Sequence, residues 1–211
     1  MAPFSPTPCP LIAILRGLTP EEAPRIGRAL LDAGFRMLEV PLNRPGALDA
    51  ISALLEIAPA DALVGGGTIL SMKDVDAVKE AGGRLVVSPN CDPEVIAYAV
   101  QRKMIALPGV ATPTEAFRAL EAGAHGLKLF PAEMITPVVV KSLRSVLTAE
   151  TALFPVGGIR PDNMADYYAA GATGFGIGGQ LFKPGMDEAA VRLAAQDFMA
   201  ARQQLLHSAK S

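Results

Sequence analysis

The chain has 211 residues, half of them hydrophobic and 19% charged, with a formal net charge of −2. That describes one globular domain able to bury a sizeable core, with no basic surface for nucleic acid or an anionic membrane. The longest apolar runs fall well short of the ~18 residues that cross a bilayer. The two cysteines, Cys9 and Cys91, make no disulfide framework, so a reducing cytoplasm is the natural compartment.

Residues 1–10 carry four prolines and no basic n-region. They read as a proline-rich N-terminal arm, not a secretory signal. Residues 11–211 read as a single domain with a regular beat. Short apolar runs occur at Leu11–Leu15, Met37–Leu42, Ala62–Gly65, Leu85–Ser88, Ile105–Pro108, Gly126–Phe130, Ala152–Val156 and Gly174–Gly178. They are continuous and not alternating, as parallel strands covered on both faces should be. A proline follows a polar or turn residue after most of them, at Pro20, Pro45, Pro93, Pro113, Pro137 and Pro161. Each predicts a helix start with proline at the first helical position, where its missing N–H costs nothing. Thr19 with Glu22 and Thr112 with Glu115 read as capping boxes. Gly34, Gly82, Gly123 and Gly171 mark helix ends. A last long helix runs from Asp187 to about His207. Repeated strand-then-helix units of this number predict a (β/α)8 TIM barrel, with a doubly wound open sheet as the alternative.

In such a barrel the chemistry lies at the C-terminal ends of the strands. Lys128 sits inside an apolar strand, where an ammonium is expensive to desolvate. A lowered pKa would give a neutral amine able to attack a carbonyl, whereas a lysine at the strand mouth would reach water or pair with a carboxylate. Glu39, in another apolar strand, is either tuned upward by burial to exchange protons or held in an ion pair with Arg16 or Lys128. Arg16 can clamp a carboxylate with two parallel bonds. The pairs Gly157–Gly158 and Gly178–Gly179 follow the last two strands, the usual phosphate loops of a barrel, or else serve only tight turns. Lys183 adds charge there or is simply solvated. Cys91, between Asn90 and Asp92, reads as an incidental small residue at a helix start. Only His125 and His207 are histidines, and no pair has metal-ligand spacing, so no metal is expected. Gly65–Gly66–Gly67 lacks the spacing of a nicotinamide fingerprint, and nothing resembles a Ser-His-Asp system.

The runs Ile14–Leu15–Arg16–Gly17, Glu39–Val40–Pro41–Leu42–Asn43, Gly67–Thr68, Ser88–Pro89–Asn90, Pro108–Gly109, Gly126–Leu127–Lys128–Leu129–Phe130–Pro131 and Val156–Gly157–Gly158 resemble the KDPG/KHG aldolases. The resemblance spans about Leu11 to Gly185. It implies a metal-independent class I aldolase on a TIM barrel, homotrimeric, acting on a phosphorylated keto-deoxy sugar acid with no cofactor beyond a lysine imine. It also implies Lys128 as the Schiff-base lysine and Glu39 as the acid/base, with Arg16 and Thr68 on the pyruvyl carboxylate. Backbone at Gly157, Gly158, Gly178 and Gly179 would take the phosphate. Asn43 and Val156 resemble the branch acting on 2-dehydro-3-deoxy-6-phosphogalactonate, where gluconate-type relatives tend to carry arginine and threonine. Gly179 departs from the family, which often has serine there. Three other readings stay open: a 2-dehydro-3-deoxy-6-phosphogluconate / 4-hydroxy-2-oxoglutarate aldolase, a phosphosugar epimerase or isomerase using Glu39 as base, and a non-catalytic sugar-phosphate binder.

Overall fold

The apolar runs form parallel strands in the computed structural model, which describes residues 8–208. In chain order the elements are β1 (Leu11–Ile14), α1 (Ala23–Ala33), β2 (Met37–Pro41), α2 (Ala47–Ile57), β3 (Leu63–Gly67), α3 (Met72–Glu80), β4 (Leu85–Val87) and α4 (Pro93–Gln101). They continue with β5 (Ile105–Leu107), β6 (Gly109–Val110), α5 (Pro113–Glu121), β7 (Leu127–Leu129), α6 (Pro137–Arg144), β8 (Leu153–Pro155), α7 (Met164–Ala169), β9 (Phe175–Ile177) and α8 (Glu188–Ser208). The strands make a six-stranded sheet, β5-β4-β3-β2-β1-β9, and a three-stranded sheet, β6-β7-β8.

The expected strand at Ile105–Pro108 is split, because Pro108 has no N–H to give a ladder. Its carbonyl still accepts from Lys128 N–H at 2.9 Å, and Ala106 accepts from His125 N–H at 3.0 Å. At the other junction Val156 bridges Gly176, and Thr173 N–H donates to Leu153 at 2.8 Å. The result is a curled parallel α/β architecture whose regular pairing is interrupted at both junctions. β3 runs two residues further than expected, because Gly66 and Gly67 continue the pairing opposite Val40 and Pro41. Glycine is disfavoured in strands, so composition stops the strand early. Here close approach demands it: a Cβ on Gly65 would fall onto the Leu85 backbone.

Of the six prolines, Pro93, Pro113 and Pro137 open helices. Pro20, Pro45 and Pro161 sit instead in the turns just upstream. The Thr112–Glu115 capping box forms at the start of α5. Thr19 and Glu22 exchange the same reciprocal bonds, each 3.3 Å, but in the turn before α1. All four glycines read as helix ends have positive φ.

Side chains alternate along each strand, so the curled sheet has two cores. The outer one, between strands and helices, contains Ile26, Leu30, Leu54, Val78, Phe175 and Phe198. The inner one is small: Ile12, Met37, Leu85, Val87, Leu107, Ala152 and Phe154. Met37 and Glu39 share a face of β2, so this inner core is the floor beneath Glu39. α8, 21 residues long, packs against α1. Its Arg202 donates to the carbonyls of Pro8 (2.7 Å) and Cys9 (2.9 Å), and Phe175 N–H donates to Pro10 at 3.0 Å. The rest of the expected arm, residues 1–7, lies outside the described residues. Among the described residues, no helix is long and apolar enough to cross a membrane, and no group of three His, Cys, Asp or Glu could hold a metal ion.

Candidate active site

Lys128 is the middle residue of β7, in register with Gly109 of β6 and Phe154 of β8. Only 7% of it is exposed. Burial lowers its pKa; the nearby Glu39 carboxylate works against that shift, and the Arg16 guanidinium adds to it. The ammonium nitrogen lies 4.8 Å from the centroid of the Phe130 ring, within range of a cation–π attraction.

Glu39 is centred in β2, opposite Ile14 of β1 and Gly65 of β3, and is 1% exposed. Burial pushes its carboxyl up to about 7, against the pull of Lys128 and Arg16. Its Oε2 is buried without a hydrogen-bond partner among the described residues. The carboxylate lies flat against Gly67, where any Cβ would fall on it. Glycine at 67 is therefore what makes room for the acid. The next residue, Thr68, has φ +56°, a left-handed conformation that a β-branched residue adopts only under constraint. The strain sits immediately beside the acid.

A cavity of about 360 Å³ opens over Lys128, with Arg16, Val156, Gly157, Gly158, Gly178 and Gly179 on its walls. Seven of the expected site residues thus surround one space. Val156 is buried, and its methyl groups pack on Gly176. Thr68 is half-buried beside Glu39. Three expected site residues are not in the cavity lining: the buried Glu39, Thr68, and Asn43, which is on the exposed turn after β2.

Several other expectations resolve simply. Lys183 lines the cavity, with its side-chain stem beside Gly179. Cys91 is half-buried, and burial raises its thiol pKa, the opposite of what a nucleophile needs. His125 accepts a backbone bond from Ala106 N–H at 3.2 Å, away from the cavity.

The arrangement offers a buried amine held toward neutrality, a buried acid titrating near neutral pH, a guanidinium, and two loops of bare backbone. That set suits imine chemistry on an anionic substrate. A match to the family model of KDPG and KHG aldolase covers residues 7–192. The chain belongs to the KDPG and KHG aldolase family.

Within that family, the aldolase is 46% identical over 199 residues, 94% of each chain, to a Rhizobium meliloti (strain 1021) protein named "Probable 2-dehydro-3-deoxy-6-phosphogalactonate aldolase". It is 46% identical to the Escherichia coli (strain K12) 2-dehydro-3-deoxy-6-phosphogalactonate aldolase over 85% of this chain and 87% of that one. A solved structure described as native KDPGal superposes with a TM-score of 0.92 at 43% identity, over 95% of this chain and 98% of that one. A second, with a TM-score of 0.94 at 42% identity, covers 97% of this chain and 76% of a chain from a cube-shaped cage designed by fusing symmetric oligomeric domains. The Legionella pneumophila KDPG aldolase, captured with pyruvate as a covalent carbinolamine, superposes with a TM-score of 0.78 at 25% identity over 93% of this chain and 94% of that one.

Sequence reasoning assigned no role to Phe130, Glu133, Gly67 or Tyr167. Phe130 and Glu133 line the cavity, and both stand in the stretch that contains Lys128, so proximity along the chain was a usable signal. Tyr167, on α7, holds the backbone next to Glu133, its hydroxyl donating to the Ala132 carbonyl at 2.8 Å. No local pattern announces a contact between residues so far apart in sequence.

Proposed function

We propose that this aldolase cleaves 2-dehydro-3-deoxy-6-phosphogalactonate to pyruvate and D-glyceraldehyde 3-phosphate through an imine on Lys128. The observation that carries the reading is the buried Lys128–Glu39 pair, in which burial pushes both groups toward their neutral forms. The neutral amine attacks the C2 ketone, and the carbinolamine loses water to give a protonated imine. Glu39, ionised, takes the proton of the C4 hydroxyl. The C3–C4 electron pair flows into the imine, leaving an enamine and the aldehyde. Glu39 returns its proton to C3, and water hydrolyses the imine, releasing pyruvate and the amine. Phe130 presents its ring to Lys128 Nζ and favours the cationic imine. Arg16, with Thr68, takes the pyruvyl carboxylate. Backbone N–H groups at Gly157, Gly158, Gly178 and Gly179 grip the phosphate and orient the scissile bond.

The galactonate epimer is favoured by the names of the two 46%-identical relatives and by Val156, a methyl-bearing wall on the cavity. Asn43 adds no contact to that argument. The strands are read as the eight staves of a (β/α)8 barrel closed across the two junctions, forming one domain from residue 11 onward. The exposed apolar side chains Met134 (73%), Val138 (74%) and Val146 (54%) stand along and beside α6. They suit self-association into a homotrimer, in keeping with the symmetric oligomeric origin of the cage domain. Free Cys9 and Cys91 suit an enzyme of the reducing cytoplasm.

The test is borohydride in the presence of pyruvate. Reduction is expected to leave a stable adduct on Lys128, and EDTA-treated enzyme is expected to keep its activity. Pyruvate release should be much faster from the galactonate epimer than from the gluconate epimer. An adduct on another residue, or none, overturns the lysine assignment; equal rates keep the aldolase and discard the epimer preference.

A further inference from the structure

One charged wall of the cavity has the wrong sign for its neighbours. Glu133 follows the Phe130–Pro131–Ala132 turn and lines the cavity beside Gly157 and Gly158. Its carboxylate reaches into the hollow over Gly157 and Gly158. A Cβ on Gly157 (φ +111°) would land on Oε2 and lie 3.0 Å from Cδ, and one on Gly158 (φ +61°) would lie 3.3 Å from Oε1. The backbone carrying Glu133 is pinned from two sides. Ala132 N–H donates to the Val156 carbonyl at 2.8 Å, and the buried Tyr167 hydroxyl donates to the Ala132 carbonyl at 2.8 Å. The side chain itself is solvent-exposed, so it is free to turn outward about a fixed backbone. Among the described residues no ion pair neutralises it, Lys183 included.

We infer that Glu133 keeps free anions out of the phosphate cradle: its carboxylate fills the Gly157–Gly158 hollow in the free enzyme, and a substrate phosphate enters by turning it out to solvent. The inference rests on the proposed role of these glycines in gripping the phosphate. A free anion meets the carboxylate's repulsion and gains only the cradle's contacts in return. A phosphate on a substrate already joined to Lys128 is held beside the cradle at high effective concentration and overcomes the same repulsion. Glu133 thus lowers occupancy of the cradle by inorganic phosphate in solution, while the phosphate on the covalently held chain, favoured by its tether, still enters.

The experiment is calorimetric titration of the intact enzyme with inorganic phosphate, comparing the parent, Glu133→Gln and Glu133→Asp. Removing one negative charge from the side of a dianion should tighten phosphate binding by roughly tenfold in Glu133→Gln at low salt, and the gain should shrink as ionic strength rises. Glu133→Asp, which keeps the charge, should stay near the parent. Unchanged or weaker phosphate binding by Glu133→Gln overturns the inference, since the carboxylate would then be neutral to the anion or a partner of a substrate hydroxyl. If neither the parent nor Glu133→Gln binds phosphate while borohydride still traps pyruvate on Lys128, the cradle itself is misplaced. The inference then falls with the phosphate assignment, and the imine chemistry stands.

Discussion

Burial acts on Glu39 and Lys128 in opposite pKa directions, and the consequence is a dependence on pH that can be worked out for each. Between pH 4.5, the ordinary carboxyl value, and about 7, the folded chain keeps a proton on Glu39 that the unfolded chain has released. Stability from this group is therefore full at low pH and declines as pH rises through that window. Lys128 has the reverse sign: above its lowered pKa and up to 10.5 the unfolded chain binds the extra proton, so stability from this group climbs with pH across that upper range. Glu39→Gln should remove the acid-side slope. Denaturant unfolding of parent and variant at pH 5 and pH 8 should show the variant relatively more stable at pH 8, by no more than about 3 kcal/mol. The same variant should lose roughly 10²–10⁴-fold in kcat, and the acid limb near pH 7 in its rate profile should vanish. An unaltered limb would remove Glu39 from the proton transfers.

At the scale of elements, the site is made by strand ends, and each end contributes according to what its neighbours leave room for. β2 delivers its acid into the interior because Gly67 of the neighbouring β3 has no side chain in its way. Gly67→Ala should push the Glu39 carboxylate out of place, with a fall in kcat of the same order as Glu39→Gln while the far-ultraviolet circular dichroism stays native. A variant with parental kcat would show that the carboxylate can move aside without loss. The strands were legible because parallel strands buried on both faces leave continuous apolar runs, and a charged residue such as Lys128 or Glu39 stands out against them. The prolines were only half legible, since a proline two or three residues upstream of a helix leaves the same local signature as one at its first position. The extension of β3 was hidden because close packing overrode glycine's poor strand propensity. Tyr167 was hidden because its partner, the carbonyl of Ala132, is a backbone group that any residue could supply.

For the whole molecule, the helix sequence carried the beat of strand and helix but not the interruption of the ladder. Pro108, read as the end of a strand, is the point at which one sheet stops and the next starts. The exposed apolar group on and beside α6 was likewise not separable by pattern from what a surface helix needs to pack inward, and it is the gathering of Met134, Val138, Val139 and Val146 around one helix that marks it among the exposed apolar side chains. Replacing Val138 and Val146 together by glutamate should convert the proposed trimer to monomers in sedimentation velocity, with the borohydride adduct on Lys128 still forming. A double variant that sediments as the parent does would place the contact elsewhere, and a monomeric parent would dismiss the trimer.

The ties between the two ends of the chain also order events in time. β1 is flanked by β2, which follows it closely in sequence, and by β9, the last of the described strands to be made. α1 packs on α8, and α8 carries the arginine that holds the carbonyls of Pro8 and Cys9. A ribosome adding about 5–20 residues per second therefore leaves one edge of β1, and the side of α1 that meets α8, bare for roughly ten to thirty seconds while the rest of the chain is synthesised. During that interval the nascent chain presents an unpaired strand edge next to the face of α1 that α8 will cover, the kind of surface that chaperones cover and that otherwise pairs with a neighbour.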